Sequence, residues 1–181
     1  MKKKLIIAFF ILAFLERTVF DFGPNIELVT SAMIISAAYL GRKWSFWPIL
    51  MLLVVTDLII GNTKIFIFTW SGFLIPALIT PSVFSKIKAK GSKLIGLGTL
   101  MGVSSNFFFF IWTNFGVWLL DSWGMYPKNL AGLVSCYINA LPFLKNQLIS
   151  TFLFIPLGFF VLETLFSSYT LAQKTLRLER N

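Results

Sequence analysis

Six long apolar runs, separated by short joints, decide what this chain can become. They cover about residues 4–20, 27–40, 44–60, 65–84, 94–120 and 148–168. A helix needs about 20 apolar residues to cross the hydrocarbon of a bilayer. In that medium the backbone must satisfy its own hydrogen bonds, which favours helices. The joints carry turn chemistry: Gly23-Pro24-Asn25, Gly41-Arg42-Lys43, Gly61-Asn62-Thr63 and Gly91-Ser92. Glycine and asparagine supply positive φ, and proline blocks helix continuation. No joint is long enough to hold a soluble domain. Composition agrees, with 57% apolar and only 13% charged residues, against about 25% charged in soluble domains. The expected fold is an all-α membrane protein: six transmembrane helices in one compact bundle spanning residues 1–181.

The cations test that layout. With the N-terminus inside, the inner segments hold Lys2, Lys3, Lys4, Arg42, Lys43, Lys86, Lys88, Lys90, Lys93, Lys174, Arg177 and Arg180. The outer segments hold Arg17, Lys64, Lys128 and Lys145. Twelve against four is a strong positive-inside bias, and it places both termini in the cytoplasm. The net charge of +9 is thus read as topology and attraction to acidic lipid, not as a nucleic-acid surface, since no basic stripe follows one helix face. Lys2-Lys3-Lys4 and the run after it imitate a secretory signal. Ala13-Phe14-Leu15-Glu16-Arg17 is a poor cleavage site, so the run is read as an uncleaved first span.

Residues 114–147 are the ambiguous stretch. Their semi-apolar part, 130–144, is short for a span, and as a seventh crossing it would carry the basic tail outside. It is expected to be an interfacial or re-entrant helix within a long outer loop between spans five and six.

Catalytic patterns are missing from the sequence. The chain has no histidine and one cysteine, Cys136, which leaves no His/Cys zinc site, no disulfide within the chain and no histidine-based nucleophile–base pair. Gly91-Ser92-Lys93 is in the wrong order for a phosphate loop. No enzyme, cofactor or metal is expected. Polar groups inside the runs are costly in lipid and normally face the bundle interior. Arg17, Glu27, Asp57, Asn106 and Asn114 all fall toward the outer side. Two readings stand: they pair with one another and lock the bundle, or they line an outward pocket for a small ligand. Trp70, Trp112 and Tyr126 could stack on a ring there, or belong to an interfacial aromatic belt. Ala32 with Ser36, and Gly98 with Gly102, are small residues four apart and predict close helix packing.

Several stretches resemble an uncharacterised family of bacterial membrane proteins. They are Pro24-Asn25 through Ala38-Tyr39-Leu40-Gly41-Arg42-Lys43-Trp44, then Thr56-Asp57-Leu58-Ile59-Ile60-Gly61. Thr113-Asn114-Phe115-Gly116-Val117-Trp118, Gly124-Met125-Tyr126-Pro127, Leu130-Ala131-Gly132-Leu133, Cys136-Tyr137 and Ala140-Leu141-Pro142-Phe143 continue it. That family is similar to the substrate-binding S components of energy-coupling-factor transporters. The resemblance implies a bacterial inner-membrane protein that captures a vitamin-like micronutrient from outside. It also implies a separate energising membrane subunit with ATPases. Many S components dock through alanines four apart in the first span. Here Ala8 and Ala13 are five apart, which also fits a solitary carrier. A non-transporting scaffold or assembly subunit is the alternative function.

Overall fold

A computed structural model describes residues 2–20, 22–61, 64–121 and 124–178, with side chains as far as Tyr169. Asp21, Trp123, Arg180 and the side chains of Lys174 and Arg177 lie outside the described residues. Six helices follow in order, and no strand occurs among the described residues. They are α1 (Lys2–Leu15, continued by a wider π-helical turn, Glu16–Phe20), α2 (Val29–Leu40), α3 (Arg42–Ile60), α4 (Phe66–Ile87), α5 (Ser92–Leu120) and α6 (Leu130–Leu178).

Four of these, α3 to α6, are long and apolar enough to cross a membrane. The distribution of polarity points the same way. Large apolar side chains stand exposed on the outside, including Leu58, Ile67, Phe152 and Phe160. Thr56, Ser36, Ser45, Asn106, Ser150 and Thr151 are buried inside. Such inversion suits lipid, where polar groups face the bundle interior. The chain is a membrane protein.

The joints form for local reasons. Gly41 alone connects α2 to α3 at φ 78°, a conformation that costs glycine little. Lys88 and Asp121 close α4 and α5 in left-handed geometry, their N–H groups bonding Phe84 O and Val117 O at 3.0 and 2.8 Å. The turn Glu16–Phe20 admits a wider spacing than an α-helix, a feature frequent at functional sites.

The helix α2 is the hub. Residues Val29 to Ala37 are all buried, and α2 packs against α1, α3, α4, α5 and α6. Its 12 residues span about 18 Å, short of the roughly 30 Å of bilayer hydrocarbon. The stretch before it, residues 22–28, is non-helical and runs back into the bundle as far as Glu27, which is 9% exposed.

The helices α5 and α6 lie antiparallel along their length. Near one end Trp118 Nε1 donates to Pro127 O at 3.0 Å and Tyr137 Oη to Ile111 O at 2.8 Å. Near the other, a Cβ on Gly98 would sit 2.3 Å from the Phe159 ring, and one on Gly102 2.3 Å from Ile155 Cδ1. Both glycines are where α6 side chains meet the α5 backbone. Ala32 and Ser36 lie fully buried on α2, and the Ser36 hydroxyl donates to Trp44 O.

One expectation differs from the structure. The segment 130–144 is not a separate cap in an outer loop; it opens α6, a continuous helix of 49 residues. Pro142 and Pro156 lie inside it. Each removes one backbone donor and favours a kink, but flanking turns hold when they are packed. Here Cys136, Ala140 and Leu144 before and after Pro142 are buried. The joint between α5 and α6 is therefore only residues 121–129.

The two bundle ends differ in charge. At one end Lys2 Nζ lies 5.3 Å from the Tyr39 ring centre, Lys3 Nζ lies 5.5 Å from that of Trp44, and Arg42 donates to Ser82 Oγ at 2.8 Å. Lys88 and Lys90 share a cavity wall with Lys2 there. The opposite end carries Arg17, Glu27 and Asp57.

Candidate functional site

At that opposite end a cavity of about 500 Å³ opens between the helices. This is within the usual size of a small-molecule site, roughly 300–1,000 Å³. Five helices and the stretch before α2 contribute. Glu16 and Arg17 come from the π-helical turn, and residues Gly23 to Glu27 from the stretch before α2. Asp57, Ile60 and Gly61 come from α3 and its end; Ile65, Thr69 and Phe73 from the start of α4. Phe109, Thr113, Asn114 and Val117 come from α5, and Phe143 and Gln147 from α6.

The π-helical turn lets the consecutive residues Glu16 and Arg17 both reach this wall. Arg17 bridges α1 and α3. Its Nη2 lies 2.8 Å from Asp57 Oδ1 and its Nε donates to Thr56 Oγ1 at 2.9 Å. Trp70 Nε1 donates to the second Asp57 oxygen at 2.6 Å. One carboxylate thus ties α1, α3 and α4 together through charge-assisted bonds, which are stronger than neutral ones.

The N-terminus of α2 meets two more carboxylates. Thr30 N–H donates to Glu27 Oε2 at 2.8 Å, and the Thr30 hydroxyl donates to Oε1. Leu28 N–H donates to Glu16 Oε2 at 3.2 Å. The first N–H groups of a helix lack internal partners and carry partial positive charge, so carboxylates are favourable there. Ser150 Oγ accepts from Glu27 N–H at 3.1 Å, and Asn146 Nδ2 donates to Pro24 O at 2.8 Å. These bonds pin the stretch before α2 to α6.

The structure brings Arg17, Glu27, Asp57 and Asn114 onto one wall. Trp70 stands behind it, holding Asp57. Asn106 lies deeper, fully buried, donating to Gln147 O at 3.0 Å and Thr151 Oγ1 at 2.7 Å; it joins α5 to α6 and does not line the cavity. Trp112 turns to α4, where its Nε1 donates to Ser71 Oγ at 2.7 Å and its ring packs near Phe68 and Phe115. Tyr126 sits past the end of α5, with its hydroxyl 3.4 Å from Asn139 Nδ2. Neither aromatic reaches the cavity; its rings are Phe73 and Phe109, 4.6 Å apart, with Phe143.

Glu16, Asn25 and Gln147 are lining residues outside the expected set. The signal for Glu16 was its place beside Arg17 in an otherwise apolar run. Gln147 closes the polar cluster Lys145-Asn146-Gln147, of which Gln147 is buried and Lys145 exposed. Among the described residues no group of three His, Cys, Asp or Glu side chains is arranged to hold a metal ion.

Residues 1–176 match the model of a family described as "Family of unknown function (DUF6580)". No curated protein and no solved structure matches the chain.

Proposed function

We propose that this chain, which belongs to the DUF6580 family of unknown function, captures a small vitamin-like micronutrient from the outer side of a bacterial inner membrane, in the manner of a transporter S component. The observation that carries the reading is the cavity itself. Polar groups from five helices and the stretch before α2 converge on about 500 Å³ at the bundle end opposite the lysines. In the proposed topology all six helices cross, both termini are cytoplasmic, and the lysine-rich end faces inward, as the positive-inside rule requires. The second crossing is made of the stretch before α2 together with α2. Non-helical backbone at membrane depth is tolerated where protein buries it or where it lines a cavity, and short or broken helices commonly build transporter binding sites. A separate energising subunit would supply the ATPases; a solitary carrier is the variant without it.

The chain acts, on this reading, as a binding protein and not as an enzyme. A scaffold role is the second reading, supported by the many cavity-wall groups that bond one another. Calorimetry on the purified full chain with a panel of vitamins and modified nucleobases separates the two. The solute reading expects a ligand whose binding Asn114→Ala and Asp57→Ala weaken at least about tenfold, a loss of roughly 1.4 kcal/mol. Glu163→Ala, at the other bundle end, should leave it unchanged. Equal effects at all three positions would sink the placement of the site.

A further inference from the structure

Five polar side chains on the cavity wall are buried: Glu16, Glu27, Asp57, Thr113 and Gln147. The protein itself engages four of them. Glu16 accepts from Leu28 N–H, Glu27 from Thr30, and Asp57 from Arg17 and Trp70. The Thr113 hydroxyl donates to Phe109 O at 2.7 Å. Gln147 differs. It is 2% exposed, its backbone oxygen accepts from Asn106, and its side-chain amide makes no hydrogen bond among the described residues.

A buried amide without partners is costly, because its oxygen and both its N–H bonds go unmet. Among the described residues, the polar side-chain atoms that are both sealed off and unbonded are the hydroxyl oxygens of Ser31 and Thr80. The Gln147 amide is unbonded yet not sealed, because it borders the cavity. A molecule in that space therefore meets a donor and an acceptor held side by side. Aromatic rings flank them. Phe143 precedes Gln147 by four residues, which puts both on one face of α6. Phe73 and Phe109, with ring centres 4.6 Å apart, line the same space from α4 and α5. Rings suit the faces of a flat partner, and the amide suits its edge.

We infer that the solute taken by this cavity is a flat ring system with a hydrogen-bond donor and an acceptor side by side on one edge, a primary-amide or lactam edge, which Gln147 reads through two parallel hydrogen bonds. Glutamine reads the edge of a flat base in the same bidentate way. The inference needs no charge on the solute or on the wall, and it rests on the reading of the cavity as a solute site. It is tested with the full chain in nanodiscs and three probes. Benzamide carries both groups on one edge. N-methylbenzamide holds them on opposite sides, and N,N-dimethylbenzamide lacks the donor. The lactam isocarbostyril and its N-methyl derivative form a second set. Dissociation constants are read by ligand-observed NMR, which detects weak binders.

Benzamide and isocarbostyril should bind at least about tenfold tighter than their methylated counterparts. Gln147→Met, which keeps the length of the side chain and removes the amide, should erase that preference. It should also unfold no more easily than the parent in mixed micelles, since the amide holds nothing in the protein. A clearly destabilised Gln147→Met chain means that the amide had an internal partner, and overturns the inference. Equal binding of the methylated probes, or a preference that survives Gln147→Met, overturns it too and leaves the solute site standing. If no probe binds but the vitamin panel yields a ligand, that ligand decides: a tenfold loss in Gln147→Met supports the inference, and unchanged affinity overturns it. Binding by no probe, together with an empty panel, removes the solute reading as well.

Discussion

Removing Asp57 should be among the costliest single changes in the chain. The Asp57 side chain is 6% exposed and that of Arg17 is 20% exposed. In Asp57→Ala the guanidinium loses its counter-charge, and Trp70 Nε1 loses its acceptor. Breaking a buried ion pair by removing one partner costs about 3–5 kcal/mol. The lower figure applies here, because Arg17 borders an open cavity and keeps its bond to Thr56. An apolar pair of similar volume should be tolerated, since burying two charges is itself costly. Arg17→Met with Asp57→Leu should therefore recover most of the roughly 3 kcal/mol lost by Asp57→Ala. The assay is reversible unfolding in mixed detergent micelles, followed by far-UV circular dichroism, for Asp57→Ala, for the singles Arg17→Met and Asp57→Leu, for their double variant and for the parent. The reasoning fails if Asp57→Ala costs under about 1 kcal/mol, the value of an exposed pair. It fails equally if the double variant loses the sum of the singles, because contacting residues should couple.

Two further outcomes follow from packing. Gly102→Val should destabilise by about 1–3 kcal/mol, since even a Cβ meets Ile155 at 2.3 Å and Thr151 at 2.9 Å. Gly96→Ala, one turn and a half earlier in α5 with open space around it, should be neutral or stabilise by up to about 1 kcal/mol through helix propensity; the same unfolding assay compares them. Asn106→Leu should cost about 1–3 kcal/mol by taking the donor away from the buried Thr151 Oγ1, with little change in solute affinity because Asn106 stands behind the cavity. A large affinity change with unaltered stability would contradict that placement.

Much of the fold was legible because lipid removes choices. The run 44–60 became α3 and 65–84 became α4 within three residues at each end, since Gly41 and Gly61 take positive φ at both borders of α3 and Lys88 caps α4. The start of α6 was not legible. Pro142 and the polar cluster after it imitate a break, and only packing of Cys136, Ala140 and Leu144 against the bundle makes the helix continuous. In the site, Arg17, Glu27, Asp57 and Asn114 stood out because each is polar in an apolar run. Trp112 and Tyr126 did not join them: which way an aromatic faces depends on helix phase and neighbours, and Ser71 draws Trp112 aside. Glu16 was harder, because neighbouring helical positions normally face about 100° apart, and the π-helical turn relaxes that rule.

The most direct measurement of the central claim is the side from which the cavity opens. With Cys136 replaced by serine, Thr69→Cys on the cavity wall and Lys90→Cys at the basic end are exposed in turn to a membrane-impermeant maleimide in intact cells. The account predicts that Thr69→Cys is labelled without permeabilisation and Lys90→Cys only after it. Labelling of Lys90→Cys alone in intact cells would contradict outward capture.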